Sequence, residues 1–251
     1  MQFRFRPGLT IATLIGLAIL LSLGNWQIQR LAWKEDLIAR VEARINQEPI
    51  TFTEAYERWQ AGEDMEYTPV RVSVNFDHQR EAHVFGSNEG AAGWFVFTPA
   101  QFSKSQDELI DSDTFLYINR GFAADTFKEV RTRPDSLLAS DGNAGLTVVT
   151  GLLRTPQESP AIAGALTPDN NPDRNEWYVR DPQVFAEAFG IATLPVWIDS
   201  NGLENPAAWP KGGTTRLEFN NRHLEYALTW FGLAATLLVV FLAFSLKGRQ
   251  D

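Results

Sequence analysis

The chain has 251 residues, with 22 Lys and Arg against 31 Asp and Glu and a formal charge of −9. No basic stripe is available to neutralise phosphates, so nucleic acid is not an expected partner. Cysteine is absent, which excludes disulfides, thiolate nucleophiles and thiolate metal sites but not an oxidising compartment.

The first predicted element is a membrane helix over 8–28. No charged residue occurs from Pro7 to Gln29, and about 20 such residues at ~1.5 Å each cross a ~30 Å hydrocarbon layer. The apolar run ends in Leu23-Gly24-Asn25-Trp26-Gln27. This lacks the small-x-small site of a cleavable signal, so the span is expected to stay as an anchor. Gly8, Ala12 and Gly16 form a small-residue stripe that could seat the second membrane helix or a partner's helix. Trp26, Arg30 and Trp33 recur at helical spacing beside a stripe of Leu31, Leu37, Ile38 and Val41. The helix is therefore expected to run out to about Ile45, within a helical lead-in over 29–60. Thr51-Phe52-Thr53-Glu54 matches a capping box and predicts a short helix through Trp59.

From Tyr67 the pattern turns to strands. Val70, Val72 and Val74 alternate with polar residues; Ala82–Phe85, Trp94–Phe97, Phe115–Asn119 and Leu146–Val149 follow, with Glu176–Val179 and Pro195–Asp199 as later strands. Turn chemistry separates them at Asp77-His78-Gln79, Asn88-Glu89-Gly90 and Asp141-Gly142-Asn143. Asp181-Pro182 predicts a helix start, and Gly190 its end. The expected fold is two transmembrane α-helices flanking a mainly antiparallel β domain over 29–225, built as a barrel or sandwich with α+β character. The second span covers 226–246. Arg4 and Arg6 precede the first span and Lys247 and Arg249 follow the second, while the middle is acidic. Both termini (1–7 and 247–251) are therefore expected in the cytoplasm and the β domain in the periplasm, against the contrary signal of Arg30, Lys34, Arg40, Arg216 and Arg222 beside the spans. No Arg/Ser-rich transit leader precedes the first span, so a bacterial inner membrane is favoured.

Hydrolytic motifs are weak. Gly86-Ser87-Asn88-Glu89-Gly90 has the wrong spacing for a nucleophile elbow, and Lys211-Gly212-Gly213-Thr214-Thr215 reads as a turn. Asp111-Ser112-Asp113 and Asp169–Asp173 lack the glycine of a calcium loop. His78 and His83 read as ordinary surface or half-buried histidines. His223 stands at the mouth of the second span, on one helical face with Ala227 and Trp230, with Tyr226 at i+3. A neutral imidazole there suits iron as an axial haem ligand, with Trp230, Ala227, Arg222 and Arg30 as neighbours for a flat macrocycle and its carboxylates. The same residues also fit an interfacial histidine reaching toward headgroups, with Trp26 and Trp230 as an aromatic belt.

Leu23-Gly24-Asn25-Trp26-Gln27-Ile28-Gln29-Arg30-Leu31-Ala32-Trp33-Lys34 resembles the opening signature of the surfeit locus protein 1 family. Asn220-Asn221-Arg222-His223-Leu224-Glu225-Tyr226-Ala227-Leu228-Thr229-Trp230-Phe231 resembles its closing signature. Between them Gly93–Pro99, Asn119-Arg120-Gly121-Phe122, Val149–Arg154, Pro168–Pro172 and Pro210–Thr215 keep the family's order. One departure is Phe122 where the family usually has Trp. The resemblance, of bacterial type, implies a non-enzymatic assembly factor for haem–copper terminal oxidase, bound to the lipid bilayer and assisting haem a insertion into the catalytic subunit. It implies oxidase subunit I as partner, with haem a synthase as a second candidate, and maps the family's histidine onto His223. The expected haem a site is thus His223 as iron ligand, with Arg222, Tyr226, Trp230 and Arg30 around it and no catalytic residue. His78 and His83 stay open as a second ligand. The alternatives are a cofactor-free membrane scaffold that holds oxidase subunits, and a membrane-bound periplasmic hydrolase.

Overall fold

The computed structural model describes residues 6–102, 110–111, 113–133, 146–156, 167–202, 208–215 and 221–246. Arg4, Arg216, Lys247 and Arg249, which bear on orientation, lie outside these residues, as do Ser112, Asn220 and the predicted Asp141–Asn143 turn. The chain divides into two compact units, Met1–Glu42 with Leu217–Asp251, and Ala43–Arg216.

The first unit is a helix pair. α1 runs Pro7–Ile45 without a break, about 58 Å at 1.5 Å per residue, far more than a bilayer core needs. α4 runs His223–Ser245. Both are long and apolar enough to cross a membrane. Their large side chains stay exposed, including Leu14, Ile15, Leu228, Val239 and Phe244, whereas Gly24, Gln27, Ala227 and Ala234 are buried. That is the pattern of helices that meet through small residues and turn their bulk outward. Of the glycine stripe, Gly16 meets α4, since a Cβ there would lie 2.9 Å from Leu237, but Gly8 has nothing near it. The tightest approach is Gly24, where an added Cβ would sit 2.5 Å from the Phe231 ring.

The second unit is a seven-stranded sheet: β1 (Ile50–Thr51), β2 (Pro69–Phe76), β3 (Ala82–Asn88), β4 (Ala91–Phe102), β5 (Thr114–Ala124), β6 (Thr147–Arg154) and β7 (Ala192–Ser200). The order is β1-β2-β6-β7-β5-β4-β3, and β2 also pairs with β4. That extra pairing closes β2, β6, β7, β5 and β4 into a ring, with β1 and β3 as outriggers. The β1–β2 and β5–β7 pairs are parallel; the rest are antiparallel.

Period-two alternation builds two cores. Val70, Val72, Val74, Leu116, Ile118, Leu153, Val196 and Ile198 fill one, closed by Phe52 and Ala55 of α2 (Phe52–Gln60). Tyr117, Trp197, Phe97, Phe95 and Val84 point to the other face and pack on Phe185 of α3 (Pro182–Phe189) and on Trp177. β5 is therefore buried on both faces. The two caps form as expected: the Thr51 side chain accepts from Glu54 N, and α3 starts at Asp181 and ends at a left-handed Gly190. Phe122 is buried edge-on to Phe95, so an aromatic side chain at this position serves the core.

Glu176–Val179 is not a strand. Asn175 takes a left-handed turn (φ 51°), and only single bridges form, Asn171 with Glu176 and Val84 with Trp177. The run then reaches the Asp181 cap without extending the Trp177 bridge to β3 into a ladder. Its role is to insert Trp177, 1 % exposed, into the second core.

Candidate functional site

His223 opens α4, and its half-buried ring faces α1. Nδ1 of His223 lies 2.7 Å from Oε1 of Gln27. Gln27 is only 9 % exposed, one helical turn from the Gly24–Phe231 contact that brings the helices together. Ala227, one turn beyond His223, is fully buried. A polar pair in such a seam is held by its mutual hydrogen bond, because burying either group alone costs free energy.

The other sequence-predicted residues gather less tightly. Trp230 is half-buried, on the helix face that carries His223 and Ala227. Tyr226 is 53 % exposed. Arg222 is exposed at the helix cap. Arg30 is exposed, and its guanidinium lies 4.5 Å over the ring of Trp33. The structure thus joins His223 to Gln27, a residue that the sequence reading left unassigned, and shows no contact of Arg30 with His223.

The remaining histidines are in the β unit. His83 is 3 % exposed, contrary to the surface or half-buried expectation, and its backbone lies in β3. Both it and His78 surround the buried Glu81. His78 Nδ1 is 3.0 Å and Arg120 Nη1 3.3 Å from Glu81 Oε1, Arg133 bonds Oε2, and His83 Nε2 is 3.7 Å from Oε2. Thr98 Oγ1 adds a donor at 3.3 Å. Burial alone would raise the Glu81 carboxyl. The hydrogen bond from His78 and the nearby His83 ring, with the charges of Arg133 and Arg120, overcome this and hold it well below the usual carboxylate range. Arg120 is itself drawn down to about 10, chiefly by burial. Glu81 is thus a pinned anion rather than a base poised near neutrality.

A second polar cluster centres on Asp199. It accepts from Asn119 (2.8 Å), Trp197 (3.1 Å), Arg154 (2.6 Å) and Thr215 (3.1 Å). Arg154 also bonds Glu66 at 2.7 Å. These groups tie β5, β6 and β7 together across the outer sheet face. Gly121 brings a further segment down, because Lys211 exchanges two backbone bonds with Phe122. Among the described residues, no group of three or more His, Asp or Glu is arranged to hold a metal ion.

Comparison with known proteins agrees with these signatures. The sequence model of the SURF1 family matches residues 14–235, which include both Gln27 and His223. The chain belongs to the SURF1 family. It is 30 % identical to human Surfeit locus protein 1 over 243 residues, covering 90 % of this chain and 74 % of that protein. It is 31 % identical to the rat Surfeit locus protein 1 over 230 residues, 85 % and 68 % of the two chains. A SURF1-like protein of Monosiga brevicollis is 31 % identical over 254 residues, covering 96 % of this chain and 89 % of the other.

Proposed function

We propose that this SURF1-family protein is a membrane-anchored assembly factor for haem–copper terminal oxidase. In this reading it holds haem a through His223 and hands it to the catalytic subunit, oxidase subunit I, with haem a synthase as the donor-side partner. The observation that carries the reading is an imidazole at the head of an apolar helix, anchored through one ring nitrogen only. With Nδ1 bonded to Gln27, Nε2 is the nitrogen left to ligate. The donor set would suit the group: a neutral imidazole for iron, Trp230 and Tyr226 for the macrocycle and Arg222 for a carboxylate, with Arg30 reaching a second carboxylate only by leaving the Trp33 ring. Bound there, haem a would supply an iron that a neutral nitrogen can ligate. The protein's part is to hold it, shield its apolar tail from water and release it. The acidic β unit stands on the periplasmic side of a bacterial inner membrane and both termini in the cytoplasm, a placement supported by Arg6 before α1.

A cofactor-free scaffold is the second reading. It is favoured by apolar side chains that the β unit leaves exposed, Phe85, Leu146 and Val148 at 47, 48 and 62 %. Purification in detergent from cells that make haem a separates the two. A near-stoichiometric Soret band with a reduced haem a α band, lost in His223→Ala, is the expected result. Unchanged haem content in that variant would sink the ligand assignment, and colourless wild-type protein that co-purifies with oxidase subunits would favour the scaffold.

A further inference from the structure

Glutamine is an unusual residue to bury in a helix seam beside a lone imidazole. Its carboxamide offers a neutral acceptor to His223 Nδ1 at 2.7 Å. A carboxylate in this place would accept more strongly and raise the basicity of the far nitrogen; an apolar side chain would leave the ring free to choose its tautomer. Elsewhere in the same chain the opposite choice is made, since the imidazoles of His78 and His83 face a carboxylate, Glu81.

We propose that Gln27 is a positioning residue for His223. It holds the imidazole proton on Nδ1, presents the Nε2 lone pair, and as a neutral partner keeps that nitrogen a moderate donor suited to a ligand that must later be released. The inference rests on the haem-ligand reading for its purpose, but the tautomer itself belongs to the protein alone.

The test uses the full chain in detergent, labelled with ¹⁵N-histidine, at one alkaline pH and without haem. The His223 signals are assigned by their loss in His223→Ala. Wild-type protein should show Nδ1 protonated and Nε2 bare. Gln27→Met, which keeps the side-chain length, should shift His223 toward Nε2–H or an exchanging mixture, and Gln27→Glu should restore the wild-type pattern. Nε2–H in the wild type, or no change in Gln27→Met, would overturn the assignment. The second arm measures haem a loss to excess apomyoglobin. Gln27→Met should lose haem about tenfold faster than wild type, the low end of what outer-shell partners contribute, while Gln27→Glu should hold it longer. Equal loss rates in all three would overturn the tuning role even if the tautomer moves. Haem retained in His223→Ala would refute the ligand reading, while the tautomer arm still decides the role of Gln27 as a proton holder.

Discussion

The helix pair and the β unit both bury polar side chains, but they do so on opposite terms. In the β unit Glu81 collects two arginines, two histidines and a threonine, and Asp199 collects four donors. In the helix pair His223 and Gln27 share a single side-chain bond. What separates them is the charge and number of the partners: the Glu81 carboxylate is fixed by groups from several elements, whereas His223 is tied through Nδ1 to one neutral side chain.

The largest way to break this contrast is Glu81→Leu. It removes the carboxylate that the buried Arg120 and Arg133 face and should cost about 3–5 kcal/mol, read from denaturant unfolding of the detergent-solubilised chain by tryptophan fluorescence. His223→Ala should leave the same transition unmoved. Next is Gly121→Ala. The backbone there has φ +118°, and a Cβ would sit 1.9 Å from the Lys211 carbonyl oxygen, so a loss of about 3 kcal/mol is expected in the same assay. Gly24→Ala should cost about 2 kcal/mol by pressing on Phe231. Its sharper signature is a disturbed His223 imidazole signal with the β unit's unfolding unchanged. Thr51→Ala removes the cap of α2 and should cost about 1 kcal/mol.

Acid titration sharpens the comparison further. The folded Glu81 carboxyl lies below its ordinary value of 4.5. Its contribution is therefore complete above that value and is lost as pH falls through it toward the folded value. The stability gap between wild type and Glu81→Gln should be constant at neutral pH and shrink below about pH 4.5. A gap that grows on acidification would contradict the pinned anion.

Much of the fold was legible because it rests on local patterns. Val70, Val72 and Val74 alternate, Thr51 and Asp181 are placed as caps, and two uncharged stretches mark the membrane helices. The sequence reading ended β5 at Asn119, whereas the strand runs on to Ala124; the polar Asn119 and Arg120 are buried through partners from distant segments, Asp199 and Glu81. The same cause hid the Glu81 cluster, whose arginines are 39 and 52 residues away in the chain. Glu176–Val179 misled because Trp, Tyr and Val suit a strand, while the left-handed Asn175 before them is invisible to composition. His223 was found from its place at the mouth of an apolar span. Gln27 was not, since one glutamine in an uncharged stretch carries no periodic signal; its position one turn past Gly24, on the seam-facing side, is the clue that was present.

The ring of strands also sets an order of events at birth. β2 is made early but pairs along most of its length with β6, which begins at Thr147, and β6 in turn pairs with β7, which ends at Ser200. The β5–β7 parallel pair likewise waits for the last strand. Such distant pairings must bear the loop-closure entropy before any of them is rewarded. The barrel thus cannot mature strand by strand as it emerges. It closes only once nearly the whole domain has been synthesised, shortly before α4 follows, so its early strands pass through an interval with unpaired edges exposed to aggregation.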